Sequence, residues 1–378
     1  MLFQTPLPSE YTTLEASEIH SRIAARKLQL GPALCILGHH YQSDEVIQYA
    51  DFVGDSLKLS QQAAGRSDAR FIVFCGVHFM AESADILSQG RAAVILPHMM
   101  AGCGMADMAE DDAVALAIDE LRQLSGGAKV VPITYVNSTA AIKALTARAG
   151  GACCTSSNVR NVCAWAFAPA EQGGLAASSL RAAADKILAV PDRHLAMNTA
   201  LAMGYALDQC VLYDPKLYHG GLEEADVRRA RFILWKGQCY VHQRFTPKQI
   251  QDVREAHPGI RVMVHPECPR EVVALADATG STEQIIRAVT ASPPGSAWAI
   301  GTESNLVNRL AKRMPDRFIR TLGDAAALCI QMARIDPVHL LWVLDHLAEG
   351  KIVNQVKVPA HVAADALLAL ERMIAINP

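Results

Sequence analysis

The chain has no Cys-x-x-Cys pair, although it carries ten cysteines, at 35, 75, 103, 153, 154, 163, 210, 239, 268 and 329. Local spacing therefore gives no zinc knuckle and no thioredoxin-type redox pair. The opening residues, Met1-Leu2-Phe3-Gln4-Thr5-Pro6, lack the basic segment and apolar stretch of a secretory signal. No apolar run approaches the ~18 residues that a membrane span needs. A cytoplasmic location is the expectation, and with it reduced thiols instead of a disulfide scaffold. Charged residues are few, 19% against 51% hydrophobic, and the net charge is only -3 with both signs interspersed. That composition excludes disorder. It also argues against nucleic-acid and membrane partners, which call for clustered basic charge. Low-complexity segments and flexible linkers are missing too.

A long-range pattern takes the place of local motifs. His39 leads through Gly54-Asp55-Ser56 to Cys103, 64 positions on, and His265 leads through Gly280-Ser281-Thr282 to Cys329, again 64 positions on. Between them, Tyr135 leads through Thr155-Ser156-Ser157 to Cys239 over 104 positions. That excess of 40 places insertions near 163–180 and 204–230. Each copy alternates short apolar strands with helices. Strands are expected at 33–37, 70–75 and 93–96, at 130–134, and at 261–264, 297–300 and 318–320. Residues 1–30 read as a leading helix with Leu14, Ile19, Ile23 and Leu28 on one stripe. Helices are also expected at 43–50, capped by Ser43, and at 81–88, 139–148, 271–276, 283–290 and 304–313. Two more follow in the tail from Pro337 to Ile376.

The pattern predicts an α/β chain of three similar αβα domains, each with a short parallel sheet, in a pseudo-threefold arrangement around a central metal site. The domains run 31–105, 106–240 and 241–330, after an N-terminal helix at 1–30 and before C-terminal helices at 331–378. In such sheets ligands gather beyond the carboxyl ends of the strands. The triplets His39-His40-Tyr41, Tyr135-Val136-Asn137 and His265-Pro266-Glu267 all stand at such ends. His39 and Tyr41 share one face, as residues two apart on extended chain do, and imidazole, phenol and carboxylate there suit proton transfer. The Ser/Thr turns each open a helix, where main-chain N–H groups favour anions. Plain N-capping accounts for any single such turn; repetition at matched phase points to an anionic substrate.

The repeat phase alone selects Cys103, Cys239 and Cys329 from the ten. Zinc with three Cys and one His is one possibility, since His242 lies three positions past Cys239. An iron–sulfur cluster is another; three protein thiolates would leave one iron open as a Lewis acid.

The motifs taken together resemble one family. They are His39-x-Tyr41, Gly54-Asp55-Ser56, Ala101-Gly102-Cys103-x-Met105-Ala106-Asp107, Tyr135-Val136-Asn137-Ser138 and Cys154-Thr155-Ser156-Ser157-Asn158. Trp235-x-Gly237-x-Cys239-x-Val241-His242, Val264-His265-Pro266-Glu267-Cys268-Pro269, Gly280-Ser281-Thr282 and Gly301-Thr302-Glu303 complete the set. In that order, from about residue 33 to 335, they resemble quinolinate synthase.

The resemblance implies a [4Fe-4S] cluster bound by Cys103, Cys239 and Cys329, with Met332 near it. It implies condensation of iminoaspartate with dihydroxyacetone phosphate to quinolinate, losing phosphate and water, in NAD biosynthesis. A functional link to L-aspartate oxidase or aspartate dehydrogenase follows. By position, Ser56, Tyr135, Asn137 and Ser156 would hold carboxylates, and His265, Ser281 and Thr282 the phosphate or carboxylate end. His39, Tyr41 and Glu267 would move protons, with His242 close by; His39 and Glu267 would also touch substrate. The chain departs from the family at His40, where Asn is usual, and before Asn198, where Gly-Arg is usual. A diphthamide-type radical iron–sulfur enzyme shares the three-cysteine plan, but the His-Pro-Glu and Gly-Ser-Thr pieces argue against it. A non-catalytic iron–sulfur sensor would need no acid–base triplets.

Overall fold

A computed structural model describes residues 3–65, 68–168 and 183–376. Among them the short apolar segments form three sheets. Strands β1 (Leu34–His39), β2 (Phe52–Gly54), β3 (Phe71–Cys75) and β4 (Ala93–Ile95) belong to the first. Strands β5 (Val130–Tyr135), β6 (Ala152–Cys154), β7 (Lys186–Val190), β8 (Cys210–Tyr213) and β9 (Phe232–Trp235) make the second. Strands β10 (Arg261–Val264), β11 (Ala278–Thr279), β12 (Ala297–Gly301) and β13 (Phe318–Thr321) make the third, and β14 (Gln355–Val356) returns to the first. The strand orders are β14-β4-β3-β1-β2, β6-β5-β7-β9-β8 and β11-β10-β12-β13. In each sheet the first strand of the copy lies between the second and the third. All described pairings are parallel except β14 on β4. Strands β1, β5 and β7 are buried along their whole length, as parallel strands covered by helices must be.

The copies agree in register as well as order. His39 pairs with Gly54, Tyr135 with Cys154, and Val264 with Thr279, so each strand-end triplet stands beside its Ser/Thr turn. One repeated device had no visible sequence signal. Asp51 Oδ2 accepts from Ile36 N–H at 2.8 Å, and Asp277 Oδ2 accepts from Val262 N–H at 2.7 Å, each across a separation of 15 residues. Strand β8 lies within the segment 204–230 expected to be inserted and pairs parallel with β9, at the edge where the first sheet carries the antiparallel β14 and the third sheet has no fifth strand. Most of the other expected insertion, 169–182, lies outside the described residues.

The chain divides into two compact units, one of residues 1–103, 303–309 and 328–359 and one of residues 104–302, 310–327 and 360–378. The first holds the first sheet. Its expected leading helix is two, Ser9–Thr12 and Ala16–Leu30. Thr12 and Thr13 turn their hydroxyls onto the Ser9 carbonyl, each at 3.1 Å, in competition with the helical ladder. Ile19 and Ile23 are buried, but Leu28 is 85% exposed and leaves the expected stripe. Ion pairs fix the helix instead: Arg22 Nη2 and Arg26 Nε each lie 2.6 Å from the buried Asp345 of the helix Pro337–Ala348. The helix expected at 43–50 is a single turn, Asp44–Ile47, and Ser43 makes no side-chain cap bond.

The second unit holds the other two sheets. The helix Asp111–Leu124 buries Val114, Ala117, Ile118 and Leu121, the i, i+3, i+4, i+7 spacing of a core-facing stripe. They join Val130, Leu188, Ile233 and Trp235 in one apolar cluster. The helix Ala360–Ala375 lies against the helix Ala140–Arg148. Asn158 Nδ2 donates to the Met373 and Ile376 carbonyls, both at 2.9 Å, and ties that last helix to the turn after β6.

Candidate active site

In the second unit, the ends of β5 and β10 bring four candidate residues together. Tyr135 ends β5, and its Oη donates to Glu267 Oε1 at 2.6 Å. His265 follows β10, and its Nδ1 lies 3.5 Å from the same oxygen. Nδ1 also accepts from the Glu267 N–H at 3.3 Å, which leaves the ring proton on Nε2. His242 stacks on His265 with ring centroids 4.3 Å apart and planes within 12°. Donor atoms of Cys239, His242 and Glu267 all lie within 4.8 Å of one another. The four side chains His242, His265, Glu267 and Tyr135 are buried, none more than 7% exposed. Glu267 Oε2 is buried with no hydrogen-bond partner.

The anion-holding turns of this unit meet as well. Ser281 caps the helix Thr282–Ala291 in a reciprocal box with Gln284. Its Oγ accepts a 2.9 Å bond from Ser157 Oγ. The described contact thus runs through Ser157, one residue beyond the Ser156 selected from the sequence; Ser156 is half-buried beside it. Thr282 is buried, and Asn137 is half-buried with a buried Oδ1 that has no partner.

In the first unit, His39 ends β1 and is buried, 4% exposed. Its Nδ1 accepts from the Tyr41 N–H at 3.2 Å, and the two rings meet edge to face at 4.6 Å. Asn305 and Arg309 hold this loop by its main chain. Asn305 Nδ2 donates to the Tyr41 carbonyl at 3.1 Å, and Arg309 Nη1 to the His40 carbonyl at 2.8 Å. Ser56 opens the helix Ser56–Gly65, but the cap is Asp55, whose Oδ1 accepts from Lys58 N–H at 3.0 Å. Met332 is buried, and its carbonyl accepts from Gln42 Nε2 at 3.1 Å. Cys103, Cys239 and Cys329 are half-buried, whereas the other seven cysteines are buried.

Comparison with known proteins decides the family. The sequence model described as Quinolinate synthetase A protein matches residues 21–375. A quinolinate synthase of Anoxybacillus flavithermus is 49% identical over 369 residues, covering 98% of this chain and 96% of its own. One of Acidobacterium capsulatum is 51% identical over 370 residues, covering 97% and 95%. One of Streptomyces coelicolor is 49% identical over 372 residues, covering 98% and 91%. The chain belongs to the quinolinate synthase family. Membership makes it an enzyme of NAD biosynthesis, and it sets aside the radical-enzyme and sensor readings. No helix among the described residues is long and apolar enough to cross a membrane.

Electrostatics tell what this family's triplet can do at neutral pH. Burial holds the Glu267 carboxyl well above the usual carboxylate range, and the nearby Asp192 charge adds to it; the Tyr135 hydroxyl pulls the other way. Glu267 thus keeps its proton to higher pH than an exposed carboxyl does. Burial holds the His242 imidazole down to about 3, so its ring is neutral. Three further buried residues, Asn198, Asp192 and Glu303, support the site. Asn198 Nδ2 donates to the Pro266 and Cys268 carbonyls at 2.8 and 2.9 Å and locks the turn that aims Glu267. Asp192 and Glu303 are buried carboxyls, both pushed up by desolvation. Glu303 stood within a family motif; nothing in the sequence marks Asp192 beyond a carboxylate after an apolar strand.

Proposed function

We propose that the chain condenses iminoaspartate with dihydroxyacetone phosphate to quinolinate, releasing phosphate and water, with a [4Fe-4S] cluster bound by Cys103, Cys239 and Cys329. The observation that carries this reading is the buried Tyr135–Glu267 pair, whose carboxylate has a donor atom within 4.8 Å of those of Cys239 and His242. The donor chemistry fits the cofactor. Burial pushes the thiols of Cys75, Cys153 and Cys163 up to about 12, so in the metal-free chain they stay protonated in the interior. The three half-buried cysteines are the ones the repeat selects. When bound, the cluster supplies a Lewis acid for a hydroxyl or carbonyl oxygen of the substrate.

The chain's own residues do the rest. Glu267 holds a proton at neutral pH, gives it to a leaving hydroxyl and takes one from a substrate carbon. Tyr135 holds Oε1 and so aims the other oxygen. His265 presents Nε2–H to an anionic group while Nδ1 is occupied by the Glu267 N–H. The neutral His242 keeps the His265 ring in plane by stacking. Ser281 and Thr282 offer a hydroxyl and helix N-terminal N–H groups to the phosphate or carboxylate end. Asn137 and Ser156 take substrate carboxylates, Ser56 has the same role by its place in the repeat, and His39 and Tyr41 serve proton transfer. Iminoaspartate would come from an L-aspartate oxidase or aspartate dehydrogenase, in the cytoplasm.

A second reading draws on the same donor atoms. Cys239, His242 and Glu267 are a ligand set that zinc accepts. Anaerobic purification separates the two. The cluster reading expects a brown protein with about four irons per chain that forms quinolinate from the two small substrates. A colourless protein holding zinc would end it.

A further inference from the structure

The loop that carries Cys239 is gripped by three consecutive residues of the same unit. Arg193 N–H donates to the Gly237 carbonyl at 3.0 Å. The Arg193 guanidinium also reaches Gln238 Oε1. The Pro191 carbonyl oxygen lies 2.2 Å from where a Cβ at Gly237 would stand, so only glycine admits this approach. At the centre is Asp192, 2% exposed. Its Oδ1 accepts from Leu195 N–H at 2.6 Å, the cap of the helix Arg193–Ala202. Its Oδ2 accepts from the Cys239 N–H at 3.2 Å.

Within the first unit the same arrangement occurs again. Glu303 is fully buried. Its Oε2 accepts from Asn305 and Leu306 N–H at 2.8 and 3.3 Å, at the start of the helix Ser304–Arg313. Its Oε1 accepts from the Cys329 N–H at 3.5 Å. Asp192 and Glu303 each follow the third strand of a copy, β7 and β12. Each spends one oxygen on a helix start and the other on a cysteine N–H. Only a carboxylate offers two acceptor oxygens at this length; an amide replaces one with a donor.

We propose that Asp192 and Glu303 are positioning residues that fix the main chain of Cys239 and Cys329, and through it the direction of each thiol. The inference rests on the reading of these cysteines as cluster ligands. Partners that orient the ligands of a metal site act in this way, holding donors in place before the metal arrives.

The test uses the full-length, metal-free protein, with alkylation of each thiol followed by mass spectrometry of its peptide. One hydrogen bond corresponds to about tenfold in an equilibrium, so Asp192→Asn should raise the Cys239 rate by about that factor and leave Cys103 and Cys329 unchanged. Glu303→Gln should raise Cys329 alone. Asp192→Ser retains a hydroxyl to cap Leu195 but does not reach Cys239; it carries the test if Asp192→Asn fails to fold. Unchanged Cys239 reactivity in Asp192→Ser, or equal acceleration of all three thiols, overturns the proposal. In iron-loaded protein the same variants should release iron to a chelator faster than the parent. A parent chain that binds no iron would sink the cluster reading and leave the alkylation result standing on its own.

Discussion

Tyr135 Oη donates to Glu267 Oε1 at 2.6 Å, joining the end of β5 to the turn after β10 through two buried side chains. This bond stabilises the carboxylate, so it holds the Glu267 proton less tightly than burial alone would. Tyr135→Phe should move the Glu267 limb of the pH–rate profile to higher pH. A profile measured anaerobically on both proteins checks this, and a downward move would contradict the assigned direction of the bond.

Glu267→Gln should bind iron like the parent and lose about 10²–10⁴-fold in turnover, the contribution of a positioned general acid–base. Iron content and quinolinate formation measured on the same preparation separate chemistry from assembly. Parent-like turnover would remove Glu267 from the mechanism.

Ser281 both caps a helix and meets Ser157. Ser281→Ala should cost about 1 kcal/mol of stability through the lost cap. It should also raise KM for dihydroxyacetone phosphate more than it lowers kcat. Thermal unfolding and substrate titration read the two effects separately.

Cys239→Ser should leave iron content near zero, while Cys163→Ala, at a buried thiol pushed up to about 12, should retain the parent's iron. Retention of iron by Cys239→Ser would break the assignment of ligands.

Two buried groups should give the metal-free protein opposite pH responses. The His242 ring is held down to about 3, against ~6.5 when exposed. The unfolded chain therefore binds a proton that the folded chain refuses, and stability drains as pH falls from ~6.5 towards about 3. His242→Phe retains a ring against His265 and should flatten this loss. The Glu303 carboxyl is pushed up to about 8 by burial, so its contribution is present at low pH and is lost as pH rises from ~4.5 through about 8. Glu303→Gln should flatten that slope. Tm measured from pH 4 to 8 on the parent and both variants reads each effect.

By itself the sequence determined the alternation of strands and helices, the matched phase of His39 with His265, and the family. These rest on local periodicity and on residue identity at fixed spacing, both of which survive in one dimension. It also marked 204–230, the segment that holds β8, as excess over the repeat, because a repeat exposes its own excess length. The apolar stripe of the helix Asp111–Leu124 is legible in sequence as well. Only the tertiary structure decided that Leu28 faces solvent, that Asp55 and not Ser56 caps its helix, and that Ser157 meets Ser281. Only it revealed Asp192 beneath Cys239 and Glu303 beneath Cys329. A buried carboxylate that accepts from a main-chain N–H leaves no mark in sequence, since its partner is the backbone every residue shares. What such a group does depends on desolvation and on neighbours far along the chain, and folding alone supplies both.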